Sequence, residues 1–191
     1  MHRWDWIVVA VAVIALVAWY LSYNAARLDR LHARVEGSLA SLDAQIVRRA
    51  EVSLELANAQ LLDPASSMLL AEAATTSLDT SDAAAVQSEV QEHGVDARRA
   101  RVETELTHTL RATLTPSVIA SVVAERGDAR DELVRLREAG ERVQLSRRFH
   151  NDAVHDVRRV RAKPVARLFR LAGHTSLPHL VEFEDEVPVD V

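Results

Sequence analysis

The chain contains no cysteine. That excludes disulfides, thiolate metal sites, a cysteine nucleophile and a lipid anchor attached through sulfur. Glycine and proline are scarce, five of each in 191 residues, and no long apolar–polar alternation marks strands. This poverty of breakers and of two-residue periodicity favours helix. Aromatic residues are few, and every Trp and Tyr falls between Trp4 and Tyr23. No charged residue occurs from Ile7 to Leu21, and no Lys or Arg lies between Arg49 and Arg98. That second interval instead holds Glu51, Glu55, Asp63, Glu72, Asp79, Asp82, Glu89, Glu92 and Asp96. An acidic helix face set beside a basic one would help select how the helices pair.

What is present begins with the uncharged run. Trp6 to Tyr23 is long enough to cross a bilayer core of roughly 30 Å, at about 1.5 Å of helical rise per residue. Trp4, Trp6, Trp19, Tyr20 and Tyr23 sit at its two ends, where an apolar ring with a polar tip meets the lipid–water boundary. A cleaved signal peptide would need small residues after its apolar core. Here Trp19-Tyr20-Leu21 follows Ala18. The expected reading is a retained, single-pass membrane anchor over residues 1–23, with the span at about 6–23. Arg27, Arg30 and Arg34 on the C-terminal side, against Arg3 and the terminal amine, lean the bulk of the chain toward the cytoplasm.

Residues 24–172 suffice for one domain with its own core. Leu28, Leu31, Val35, Leu39, Leu42 and Ile46 form one helical stripe, continued by Leu54, Ala57 and Leu61. It predicts a rod that runs unbroken from the anchor into the domain. Asp63-Pro64 ends that rod and starts a second helix, predicted to reach about Ser77. Leu78 to Asp82 reads as a turn. A third helix from Asp82 carries Val86, Val90, Val102, Leu106 and Leu110, weakened at Gly94. Thr115-Pro116 opens a short helix to Arg126. Gly127-Asp128 stops it, and Asp128 caps a long helix from Ala129 to Ala162 with Leu133, Leu136, Val143, Ala153, Val157 and Val160 on its buried side. After Pro164 comes a short amphipathic turn, Val165 to Leu171. Residues 173–191 read as an irregular acidic tail, partly disordered. The fold class is all-α, an N-terminal transmembrane helix continuing into an antiparallel bundle.

Two blocks resemble the LemA family. One is Tyr23-Asn24 followed by Ser41-Leu42-Asp43-Ala44-Gln45-Ile46-Val47-Arg48-Arg49-Ala50. The other is Arg147-Arg148-Phe149-His150-Asn151-Asp152-Ala153-Val154, then Pro164, Ala166-Arg167-Leu168-Phe169 and Phe183-Glu184. The resemblance covers the anchor, the first helix and the last helix with its tail. Lys163 before Pro164, His150 and Ala40 replace aromatics usual in that family, which marks a divergent member. The resemblance implies one N-terminal membrane helix, a four-helix bundle and no defined chemistry.

The residues themselves point away from an enzyme. Glu105-x-x-His108, Asp152-x-x-His155 and Asp29-x-x-His32 have the spacing of bundle metal ligands. No further inward-facing acids accompany them, so neither metal nor cofactor is expected. Asp152, His155 and Asp156 share a helix face but lack a nucleophile, a phosphate loop or an oxyanion motif. Arg158, Arg159, Arg161, Lys163, Arg167 and Arg170 form an acid-free basic run, with Val157, Val160, Leu168, Phe169 and Leu171 as its apolar side. The run either complements the dipole at a helix end or touches anionic lipid heads. Four helices alternating in direction would bring it back to the membrane; three would leave it at the far end. A net charge of −5 and no aromatics interleaved with the basic residues argue against nucleic acid. The expected function is a non-enzymatic scaffold whose partners are membrane lipid and other membrane or envelope proteins.

Overall fold

The computed structural model describes residues 3–88, 97–164, 167, 169 and 177–188. The helices are α1 (Arg3–Asn58), α2 (Pro64–Ser88), α3 (Ala97–Thr113), α4 (Pro116–Glu125) and α5 (Ala129–Arg161). No strand occurs among the described residues. The architecture is all-α, a long apolar N-terminal helix running into a helical bundle.

Helix α1 is one rod of 56 residues, about 84 Å long. Its first third projects from the rest, with residues 6–20 exposed. Burial begins at Leu28 and recurs at Val35, Leu42 and Ile46, along the stripe read from the sequence. Leu31, Leu39 and Leu54 are partly buried beside it. The rod ends where Gln60 takes a positive φ of 56°. Asp63 then starts α2, its carboxylate accepting from the amides of Ala65 (3.0 Å) and Ser66 (3.1 Å).

The middle of the chain departs from the expected break at Leu78–Asp82. Helix α2 runs straight through it to Ser88. The polar side chains that resemble turn residues bond back along the helix. Thr76 donates to the Glu72 carbonyl, Thr80 to Thr76 and Ser81 to Ser77. Such i−4 bonds satisfy a hydroxyl without ending a helix. Ser77 and Ser81 are buried, so they face partners across the bundle rather than water. The chain between α2 and α3, with Val90 and Gly94, lies outside the described residues, as does most of the turn expected at Val165–Leu171.

Thr115 caps α4, its hydroxyl accepting from the Val118 amide at 3.4 Å. Asp128 stands at the start of α5 but makes no side-chain cap bond. Its carboxylate is taken by Arg126, at 2.9 Å from Nη2. A guanidinium two residues away therefore outcompetes the helix amides.

Helices α1 and α5 form the main pair, α2 packs on α1, and α3 packs on α2. The α1–α5 register is antiparallel. Arg34 meets Asp156, Ser38 meets His150 and Glu55 meets Arg135. One cluster lies at the end from which the apolar helix projects, with Leu28, Val35, Ala153, Val154, Val157 and Val160. A larger one at the far end joins α1, α2, α3 and α5 through Val52, Leu56, Leu70, Leu106, Leu110, Leu133 and Leu136. Close backbone approaches between α3 and α5 are sparse. Residues 177–188 lie in that seam. They are irregular in conformation, as expected for the tail, but they are packed, with Val181 and Asp185 buried.

Candidate functional site

The anchor aromatics stand clear of the bundle. Trp4, Trp6, Trp19, Tyr20 and Tyr23 are all exposed, Trp4 at 75% and Trp19 at 69%. Trp19 and Tyr23 stack one turn apart with centroids 6.2 Å from each other. By length and composition this segment is a candidate membrane span, and none of its apolar window is covered by protein.

The alternation of α1, α2, α3 and α5 returns the chain to the end it left. Extending the register from Arg34–Asp156 places Lys163 level with Arg27. Arg27 is four residues past Tyr23, about 6 Å along the helix. The basic run is not uniform there. Arg158 turns inward, its Nε and Nη2 donating to the Pro178 carbonyl at 3.2 and 2.9 Å. Arg159 approaches Asp156 at 4.0 Å, and Arg161 is half-buried. Lys163 and Arg167 are exposed, and Arg170 lies outside the described residues.

Between α1 and α5 lies an open depression of about 660 Å³, lined by Arg34, Asp152, His155, Asp156, Arg158 and Arg159. Arg34 is 3.8 Å from Asp156. Asp156 thus stands between Arg34 and Arg159. Of the spaced acid–His pairs, His108 lies 3.5 Å from Glu184 rather than turning into the core. Among the described residues no three His, Asp or Glu side chains converge as a metal would require.

A polar centre that the residue pattern did not reveal links three helices. Arg49 of α1 and Glu103 of α3 form an ion pair at 2.8 Å with neither side chain exposed. Arg49 also donates to the Thr107 hydroxyl, and Ser77 of α2 donates to the second Glu103 oxygen at 2.7 Å. One layer nearer the apolar helix, Arg99 pairs with Asp43 and donates to the Ser81 hydroxyl at 2.8 Å. The sequence pattern assigned Arg49 and Arg99 no buried role. Their burial depends on acids and hydroxyls of other helices, which helical spacing does not show.

The tail closes over this centre. Asn151 holds both backbone atoms of Val181, donating to its carbonyl (3.1 Å) and accepting from its amide (2.9 Å). Thr107 donates to the Glu184 carbonyl (2.7 Å), and Thr104 accepts from the Glu184 amide (3.3 Å). Gln144 donates to the Asp185 carbonyl. Arg147 grips the Asp185 carboxylate with Nε (2.6 Å) and Nη2 (3.2 Å). The Phe183 ring lies between two guanidinium groups, Arg49 at 6.0 Å and Arg147 at 5.8 Å. Arg111 pairs with Glu184, which holds that carboxyl below the usual range. Burial pushes the His150 imidazole below its ordinary value, between the Ser38 hydroxyl (3.1 Å) and the His179 carbonyl (3.4 Å). The two blocks singled out in the sequence, 41–50 and 147–154, thus meet each other and Phe183-Glu184 in one place.

No protein-family model, no curated protein and no solved structure matches this chain.

Proposed function

We propose that the protein is a membrane-tethered helical scaffold, a divergent member of the LemA type, whose bundle surface is its working part. The observation that carries this is the continuity of α1. One unbroken helix leads from the uncovered run Ile7–Leu21 into the buried stripe at Leu28–Ile46. An apolar rod that no part of the protein covers belongs in lipid. Because no loop intervenes, the rod holds the bundle at a fixed height above the surface. The meeting of blocks 41–50, 147–154 and Phe183-Glu184 supports the LemA reading. Exposed apolar pairs on the bundle, Met68 with Leu69 and Leu145 with Phe149, are surface for protein partners. The role is non-enzymatic and uses no cofactor. The location is the cell membrane, single-pass, with the bundle in the cytoplasm.

Fractionation tests the tether. The full chain is expected to stay with membranes through alkaline carbonate and to leave only with detergent. Recovery in the soluble fraction would remove the proposal. A reporter fused at Val191 reads the orientation, and crosslinking in cells with the anchor intact identifies the partners.

A second reading is favoured by the return of α5. The headgroup layer adds about 5–7 Å on each side of the hydrocarbon core. Lys163, level with Arg27 and about 6 Å beyond Tyr23, stands within it. Anionic lipid heads are its proposed ligands, with Arg161 and Arg167 beside it. Arg158 contributes less, since its Nε and Nη2 are turned inward to the Pro178 carbonyl.

A further inference from the structure

We infer that the seam between α3 and α5 is a groove for an extended acidic peptide, and that residues 177–188 are its resident ligand. The inference deepens the reading of the bundle as an interaction module by naming its partner's chemistry.

The groove reads backbone. Side chains of α3 and α5 hold the carbonyls of Pro178, His179, Val181, Glu184 and Asp185 and the amides of Val181 and Glu184. These contacts are distributed along the helix as an extended chain requires. Pro178 sits at Arg158 and Val187 at Gly140. Eighteen residues of α5 rise about 27 Å, and nine extended residues cover about 30 Å. Burial along the segment alternates: Val181, Phe183, Asp185 and Val187 are covered to some degree, while Glu182, Glu184 and Glu186 are exposed. A ligand held through its main chain, with alternate side chains in pockets, is how extended peptides are recognised on a fixed surface.

The lining selects charge. Arg111, Arg147 and Arg158 face the segment, and Glu184, Asp185 and Glu186 answer Arg111 and Arg147. Much of the lining is also water-compatible. Asn151, Gln144, Thr104 and Thr107 can bond to solvent when the segment leaves, while Val181 and Phe183 pack on Leu42, Ile46 and Val143 as the ligand's apolar anchors. Gly140 admits Val187 so closely that even a Cβ would collide with it. The matching partner is a peptide with a β-branched residue, an aromatic two positions later and acids after it, as in Val181-Glu182-Phe183-Glu184-Asp185.

The test uses the full chain in detergent and a fluorescent peptide of residues 177–188, followed by anisotropy. A chain carrying Phe183→Ala and Asp185→Ala releases its own segment and is expected to bind the peptide at least tenfold tighter than wild type. Asn151→Ala added to that chain, or Phe183→Ala in the peptide, should each weaken binding about tenfold. No gain over wild type, with helical content unchanged, overturns the inference. Where the variant loses helix, amide exchange in the wild type decides. Exchange at Val181 and Glu184 faster than at Leu106 and Leu133 supports a separable ligand. Exchange only with global unfolding makes the segment part of the core and overturns it. Membrane retention does not enter this measurement, so the tether and the groove can fail separately.

Discussion

Arg49 and Glu103 lie 2.8 Å apart with both side chains fully buried, one on α1 and one on α3, although these helices are not the closest neighbours in the bundle. Removing two charges from water is costly, and their attraction offsets that cost only with good geometry and further hydrogen bonds. Thr107 and Ser77 supply those bonds. Breaking one side should cost about 3–5 kcal/mol, because the other charge stays buried alone. Glu103→Leu is therefore expected to lower the denaturation midpoint sharply. Pairing it with Arg49→Met should restore much of the loss. A double variant as weak as the sum of the singles would show that the pair does not act as a unit.

Gly140 admits the tail. Its α-hydrogen faces the Val187 side chain, where a methyl group cannot fit without movement. Gly140→Ala is expected to displace Val187 at a cost of about 1–3 kcal/mol. Limited proteolysis should then cut between 177 and 188 sooner, while helical circular dichroism changes little. Unchanged cleavage would place the Val187 contact among those the protein can do without.

His150 ties stability to pH. Burial is the main cause of its lowered pKa, with the hydrogen bonds at its ring opposing that shift. The unfolded chain takes up a proton near pH 6.5 that the folded chain resists until lower pH. Stability is thus unaffected by this group above about pH 6.5 and falls as pH drops below it. The denaturation midpoint is expected to be lower at pH 5.5 than at pH 7.5, and His150→Gln should flatten that difference. A second loss, in strong acid, follows from Asp63, Asp128 and Glu184. Partners hold each of them below its ordinary value, so their stabilisation disappears as protonation sets in.

Lys163 is the only lysine, so an amine-reactive label reports on one side chain besides the N-terminus. If lipid heads are its ligands, labelling in nanodiscs should be slower with anionic than with zwitterionic lipid, by the effect of roughly 1 kcal/mol per basic residue at such a surface. High salt should remove the difference. Equal rates at low salt would leave the basic run as an ordinary helix end.

Much of the bundle was legible because helical periodicity is a one-dimensional signal. Leu28, Leu42, Ile46, Leu106, Leu110, Leu133, Leu136 and Val143 are buried where their spacing placed them. Asp63-Pro64 and Thr115-Pro116 start helices because capping is decided within a few residues. The error at Leu78–Asp82 has a local cause. Ser and Thr serve both as turn formers and as back-bonding helix residues, and only the buried partners of Ser77 and Ser81 select the second. The tail was harder still. Its sequence mixes acids with apolar residues in no helical period, and its order comes from side chains of Asn151, Thr107 and Arg147 on other elements.

The order of residues alone determined an apolar, aromatic-bounded helix without a break before the bundle, because hydropathy and the absence of Pro act within one segment. The tertiary structure alone decided that α5 runs back along α1 toward the end the apolar helix leaves, that Arg49 and Glu103 are sealed together, and that 177–188 fills the gap between α3 and α5. Each of these depends on the register between helices. That register is set by packing across the core, where residues more than fifty positions apart must fit at once.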